Sequence, residues 1–180
     1  MKKLLLIVAI VAGAVISHAA SLNWSLLNIP DSSDATAKGN GYIAYFFEDN
    51  GTTTTQEAIT ALLNGDDASA VTSLAKYSKA ANATGTINST GNGSYATGET
   101  VTGYAVVFDA ATADKANNWF MTSEITKTAA ATGAISYGFG SQTGATYAAT
   151  GWGEGGVPEP TSGLLLLVGG TLLGLRRRRV

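Results

Sequence analysis

Between the apolar runs at its two ends, the sequence has two short segments that are apolar at nearly every position, and these constrain the fold more than any other feature. In residues 41–48, aromatic and aliphatic side chains alternate onto both faces of an extended strand, and residues 101–108 repeat the pattern. Because successive side chains of a strand point to opposite faces, such a strand has to be covered on both sides. We therefore expect both segments to be central strands of a sheet.

Other segments predict strands with one solvated face. The apolar residues alternate with polar or small ones in Leu22, Trp24 and Leu26, and again in Ile135, Tyr137 and Phe139. A further strand is expected around Trp119, Met121 and Ile125, and another over residues 84–87. The Gly-, Asn-, Ser- and Thr-rich stretches 85–98 and 140–156 are predicted to be flexible.

One helix is predicted between the strands. Thr54 and Glu57 have the spacing of a capping box, an apolar stripe follows, and Gly65 provides a C-terminal stop. Residues 67–77 fit a short helix or a strand about equally well. The chain is therefore expected to be mainly β, a single antiparallel β-sandwich-like domain with one short helix; the alternative is an open α+β sheet with the helix on one face.

The first residues have the pattern of a secretory signal peptide. Lys2 and Lys3 precede an apolar run, and small residues follow at Ser17 and Ala19. We expect residues 1–19 to be removed by signal peptidase after Ala19, following export by the Sec machinery. The alternative is an uncleaved anchor, although the run is shorter than the ~20 residues that a spanning helix needs.

The last residues have the pattern of a second targeting signal. Residues 157–160 read Val-Pro-Glu-Pro, an apolar stretch over 161–175 predicts a single transmembrane helix, and a basic cluster occupies 176–179. Four arginines are costly to move across a membrane, so they are expected to stay in the cytoplasm and to place the body of the protein outside the inner membrane. The two prolines disfavour a helix and keep the motif extended. The residues of this predicted sorting signal are Val157, Pro158, Glu159, Pro160, Arg176, Arg177, Arg178 and Arg179.

This tail resembles the PEP-CTERM sorting signal. The resemblance implies a substrate of exosortase, a membrane-embedded peptidase or transpeptidase of Gram-negative bacteria that make extracellular polysaccharide. It covers only residues 157–180 and implies nothing about the activity of the rest. The alternative is a tail anchor that is never cut.

The organisation that follows has four parts. Residues 1–19 are the signal peptide, 20–149 the exported mainly-β domain, 150–156 a Gly-rich tether and 157–180 the sorting signal. The exported part, taken as residues 20–160 up to the end of the Val-Pro-Glu-Pro motif, contains only five lysines against all thirteen acidic residues, a net charge of −8. This charge argues against nucleic acid as a partner.

The composition excludes several kinds of catalytic site. The chain has no cysteine, and its one histidine, His18, lies within the predicted signal peptide. The exported part therefore cannot host a histidine- or cysteine-based nucleophile system or a zinc site of the usual ligands. Disulfides are excluded as well, so the domain has to be held by its core.

Carboxylates are the side chains that remain as candidates for a catalytic or cation-binding site. Three pairs could act as acid and base on a glycoside, and each also fits an ordinary turn. They are Glu48 with Asp49, Asp66 with Asp67, and Asp109 with Asp114. A calcium site is the one cation site the sequence suggests, from Glu48, Asp49 and Asn50 with Asp31 or Asp34. We assign no catalytic, cofactor-binding or metal-binding residue from these patterns.

Two further patterns have weaker support. Ser73 and Lys76 match Ser-x-x-Lys, but the companion motifs of penicillin-interacting enzymes are absent from the sequence. Tyr42, Trp119 and Trp152 could stack on sugars, although core or anchoring roles are more common.

The sequence thus predicts an exported protein that is not an enzyme. It is expected to be anchored in the inner membrane until processing, and then to reside in the outer envelope or extracellular matrix. Its expected role is structural, adhesive or associated with extracellular polysaccharide. The alternative is a small carboxylate-dependent carbohydrate-active enzyme at the cell surface.

Overall fold

The computed structural model describes residues 18–65, 67–150 and 152, with the backbone alone for 18–20. The described part is mainly β, as predicted. Its elements in chain order are β1 (His18–Leu27), β2 (Ile43–Asp49), α1 (Gln56–Leu63), α2 (Ala68–Leu74), β3 (Tyr77–Ala80), β4 (Ile87–Ala96), β5 (Thr100–Phe108), a 3₁₀ turn (Ala113–Lys115), β6 (Asn118–Met121), β7 (Ile125–Thr128), β8 (Ala134–Ser141) and β9 (Ala148–Ala149).

The strands form two sheets. The small sheet has the order β4-β1-β8, and the large sheet has the order β3-β2-β5-β6-β9, with β7 pairing a second stretch of β5. Leu22, Trp24 and Leu26 of β1 are buried against Phe46 and Val107 of the large sheet. The solvated opposite face of β1 confirms the alternation predicted for this strand.

β2 and β5 lie side by side in the middle of the large sheet and are apolar on both faces, as predicted. Ala44 and Phe46 enter the core between the two sheets. Phe47 enters a second core on the other face, where Ile59 of α1 and Val71 of α2 cover it. The large sheet is thus covered by the small sheet on one side and by helices on the other, which combines features of both arrangements expected from the sequence.

Two details of the predicted architecture are wrong. β1 runs parallel to β8, so the sheets are not wholly antiparallel. A parallel pair needs a long connection, and here most of the domain lies between the two strands. In addition, the described residues contain two α-helices instead of one, because residues 67–77 divide into α2 and β3.

The first helix begins one residue later than its capping box predicted. The Thr55 hydroxyl accepts a hydrogen bond from the backbone N–H of Ala58 (3.2 Å). The Thr54 hydroxyl instead donates to the backbone carbonyl of Glu48, and it accepts from the backbone N–H of Asn50 (3.0 Å). Thr54 therefore closes the loop after β2, and Thr55 caps the helix.

The prediction that residues 85–98 are flexible is wrong, because this stretch contains the ten-residue strand β4. Its glycines have a packing role. A Cβ atom at Gly91 would lie 2.3 Å from the ring of Tyr77, and one at Gly93 would lie 2.3 Å from the ring of Tyr95. Glycine at these positions leaves room for two aromatic rings against the strand.

In the described residues, no helix is both long enough and apolar enough to cross a membrane. The apolar runs of the predicted signal peptide and of the predicted transmembrane helix at 161–175 lie outside these residues.

Gly103 offers a test of the core between the sheets. A Cβ atom there would lie 2.6 Å from the ring of Phe46 and 3.0 Å from that of Tyr137, both buried. We expect Gly103→Ala to lower the free energy of unfolding by about 1–3 kcal/mol, because the core has no space for it. Gly144→Ala, where nothing lies within 4 Å, is the matched control for chemical denaturation. Equal stability of the two variants would contradict the packing described.

Candidate functional site

The structure does not bring the side chains of Glu48 and Asp49 together on one face. They are neighbours at the end of β2, so their side chains point to opposite faces of the sheet. Glu48 forms an ion pair with Lys76 (Nζ to Oε2, 2.6 Å). Asp49 accepts a hydrogen bond from the backbone N–H of Gly51 (2.7 Å) and so belongs to the turn that follows.

Glu48, Lys76 and Tyr95 form a closed polar network at the border of the core. Lys76 Nζ also donates to the Tyr95 hydroxyl (2.7 Å), which in turn donates to Glu48 Oε1. Burial and the hydrogen bond to Glu48 raise the pKa of Tyr95, so its phenol stays protonated. The network ties β4 to β2, which is a structural role.

The Ser-x-x-Lys pattern is not assembled as a catalytic pair. The Ser73 hydroxyl donates to the backbone carbonyl of Ala70 within α2 (2.8 Å), while Lys76 points to Glu48 and Tyr95.

One member of each remaining carboxylate pair is held by structural contacts. Asp109 accepts from the backbone N–H groups of Asn117 and Asn118 (2.9 Å each) and from the Ser32 hydroxyl (2.9 Å). Asp67 caps α2 by accepting from the backbone N–H of Ala70 (2.7 Å). Asp114 lies in the 3₁₀ turn, and its predicted partner Asp109 precedes that turn. Asp66 lies outside the described residues.

The candidate calcium ligands bind local donors. Asp31 Oδ1 accepts from the backbone N–H and the hydroxyl of Ser33 (2.9 and 2.6 Å), and Asp31 Oδ2 from the Tyr42 hydroxyl (2.8 Å). Asn50 Oδ1 accepts from the backbone N–H of Thr52 (3.0 Å). Across the described residues, no three histidine, cysteine, aspartate or glutamate side chains come together as a metal-ligand group.

The three candidate sugar-stacking aromatics belong to the cores. Tyr42 and Trp119 are 9% and 8% exposed, too little to offer a ring face to a sugar. Trp152 packs on Phe108 (ring centroids 6.2 Å apart) and donates from Nε1 to the backbone carbonyl of Ala113 (2.7 Å). The predicted tether 150–156 is therefore not free along its whole length, because Trp152 is docked on the domain.

A groove on the outer face of the small sheet is the site that the sequence did not reveal. It has a volume of about 400 Å³ and runs across all three strands. Its outward side chains are those of Asn23, Ser25, Asn88, Thr90 and Ser136, with Gly138 at one border, and we call it the polar groove. Two of these residues lie in the segment predicted to be flexible. The others alternate with buried apolar residues, and the sequence pattern assigned them only to a solvated strand face.

The predicted targeting sites lie at or beyond the borders of the described domain. Ala19 is the second residue of β1 and is paired with Tyr95, so cleavage after Ala19 would leave Ala20 at the start of the strand. The sorting-signal residues 157–160 and 176–179 lie outside the described residues. No protein-family model, no curated protein and no solved structure matches this chain.

Asp31 gives a pH-dependent test of the loop after β1. Hydrogen bonds, first from Ser33 and then from Tyr42, lower the pKa of this carboxyl from 3.8 to about 2. The unfolded chain therefore binds the proton first as the pH falls, so the stabilisation is present above about pH 4 and is lost towards pH 2. We expect Asp31→Asn to be less stable than the parent at neutral pH, with the difference shrinking over that range in thermal unfolding. A difference independent of pH would contradict the assignment.

Trp152 tests whether the end of the described chain is anchored. We expect Trp152→Ala to lower the free energy of unfolding by about 1–2 kcal/mol, because a half-buried ring is removed from Phe108. Trp152→Phe keeps the ring contact and loses only the hydrogen bond to Ala113, so it should cost about 1 kcal/mol or less. Chemical denaturation measures both, and an alanine variant as stable as the parent would mean that the ring is not docked.

Proposed function

We propose that this protein is exported and sorted to the cell envelope or extracellular matrix by an exosortase-type peptidase, and that its role there is non-catalytic. The observation that carries the proposal is the order of features in the sequence of residues 157–180: a Val-Pro-Glu-Pro motif, an apolar run and four arginines. This order suits a protein held in the inner membrane and then cut. Export by the Sec machinery and cleavage by signal peptidase precede this cut.

The exported domain suits a structural, adhesive or polysaccharide-associated role. We interpret it as a β-sandwich with a helical layer on the large sheet, held by two apolar cores without disulfides. Three of the candidate carboxylates, Asp67, Asp49 and Glu48, serve as a helix cap, a turn residue and an ion-pair partner. These contacts favour the non-catalytic role over the enzymatic alternative.

The docked Trp152 limits how far the domain can lie from the peptidase. Pro158 lies six positions after Trp152, and an extended chain covers at most ~3.3–3.6 Å per residue. The domain therefore stays within about 20 Å of the peptidase cleft while the motif is bound. A peptidase at the outer surface of the inner membrane would therefore work directly beside the folded domain.

Intact mass of the protein from its own host tests the proposal. In the parent strain we expect a chain that begins near Ala20 and ends within or next to residues 157–160. In a strain without the exosortase-type peptidase, and in the variant Pro158→Ala/Pro160→Ala, we expect residues 176–179 to remain attached. Retention of these arginines in the parent strain as well would overturn the proposal in favour of a permanent anchor.

A further inference from the structure

The outer face of the small sheet is polar, and its strands contain no acidic residue, lysine or arginine. The strand register places Asn23 beside Thr90 on one side and Ser136 on the other. The next row consists of Ser25 with Asn88 and Gly138. None of β1, β4 and β8 contains an aspartate, glutamate, lysine or arginine, although the exported part carries thirteen acidic residues. Apart from Leu27 at the end of β1, which is 43% exposed, and small alanine or glycine residues, the outward side chains of this face carry hydroxyl and amide groups.

These side chains are left without protein partners. Within the part of the chain that the structure describes, no side-chain hydrogen bond involves Asn23, Ser25, Asn88, Thr90 or Ser136. Loop residues of the same types behave differently. The Asn82 side-chain oxygen, for example, accepts from the backbone N–H groups of Thr84 and Thr86 (3.0 Å each). The polar groove thus presents a concentrated set of free donors and acceptors.

We propose that the polar groove binds a neutral polysaccharide chain; this inference rests on the proposed function and names the partner of the exported domain. Amides and hydroxyls both donate and accept, which matches the hydroxyl groups of a sugar polymer. The groove volume lies within the range of ordinary ligand sites. Successive outward residues of a strand are roughly 6.7 Å apart and strands about 4.8 Å apart, so the donors form a regular grid.

The charge and polarity of the groove argue against other occupants. Nucleic acids and polyuronates need a positive surface, whereas this domain is net negative and the groove strands carry no lysine or arginine. The hot spots of protein interfaces are enriched in aromatic and arginine anchors, and the outward side chains of the groove include neither. A neutral, hydroxyl-rich polymer is the remaining class that fits.

Gly138 shapes one border of the groove. A Cβ atom at Gly138 would meet only the Ser25 hydroxyl, at 4.0 Å. A larger side chain can therefore be introduced without a clash with the core, and it would project into the groove. Gly138→Gln is consequently a blocking variant that should keep the fold.

Native affinity electrophoresis of the protein in its exported form tests the proposal. The gels contain dextran or laminarin as neutral glucans, or alginate as a polyuronate. We expect a neutral glucan to retard the parent protein, and we expect Asn23→Ala/Asn88→Ala and Gly138→Gln to weaken binding about fivefold or more. The matched control Asn40→Ala/Asn117→Ala changes two exposed asparagines elsewhere and should bind like the parent. Thermal unfolding checks that all variants remain folded.

The outcomes separate this inference from the proposed function. Absence of retardation by both neutral glucans, equal retardation of groove and control variants, or retardation by alginate alone would each overturn the binding proposal. The intact-mass result is independent of these gels. A correctly processed protein that does not bind neutral glucans would support the sorting proposal and would refute only the proposal that the polar groove binds polysaccharide.

Discussion

Burial of both faces of β2 and β5 is the constraint on which the rest of this structure depends. Phe46 and Phe47 are adjacent in sequence and fully buried on opposite sides of the large sheet. Each side needs its own cover, since leaving either core face in water would forfeit roughly 1.5–3 kcal/mol per large side chain. The small sheet covers one face and the helices cover the other. Because the inner face of the small sheet provides this cover, its outer face is left to solvent, and the outward residues Asn23, Ser25, Asn88, Thr90 and Ser136 are polar.

The alternation of apolar residues predicted much of this arrangement. It identified β2 and β5 as central, and it identified the buried side of β1 from Leu22, Trp24 and Leu26. It failed for β4, because glycine normally weakens a strand and a Gly/Asn/Ser/Thr-rich segment is typical of a loop. The reason for Gly91 and Gly93 lies in the rings of Tyr77 and Tyr95, and only the tertiary structure brings those rings to the strand.

Proximity in sequence was a poor guide to the candidate site. Glu48 and Asp49 are adjacent in sequence, but their side chains lie on opposite faces of the sheet. The partners of Glu48 are Lys76 and Tyr95, which are distant in sequence. Small polar side chains beside a turn mostly bind their own backbone, as Asp31 and Asn50 do. The polar groove could not be predicted in the same way, since its residues come from three strands and no single segment carries a motif. Serine, threonine and asparagine are also the ordinary residues of a solvated strand face.

The borders of the domain connect its fold to its proposed processing. β1 begins at His18, so no spacer separates the predicted cleavage point from the central strand of the small sheet. At the other end Trp152 is docked, six residues before Pro158. Cuts at both predicted positions would release the folded domain with very little additional chain. A product of this kind would have only a short tail, which favours the surface of the domain as the place where a partner would bind. That surface is acidic over the exported part as a whole but uncharged across the small sheet, which is why the polar groove is the part of it most suited to a neutral ligand.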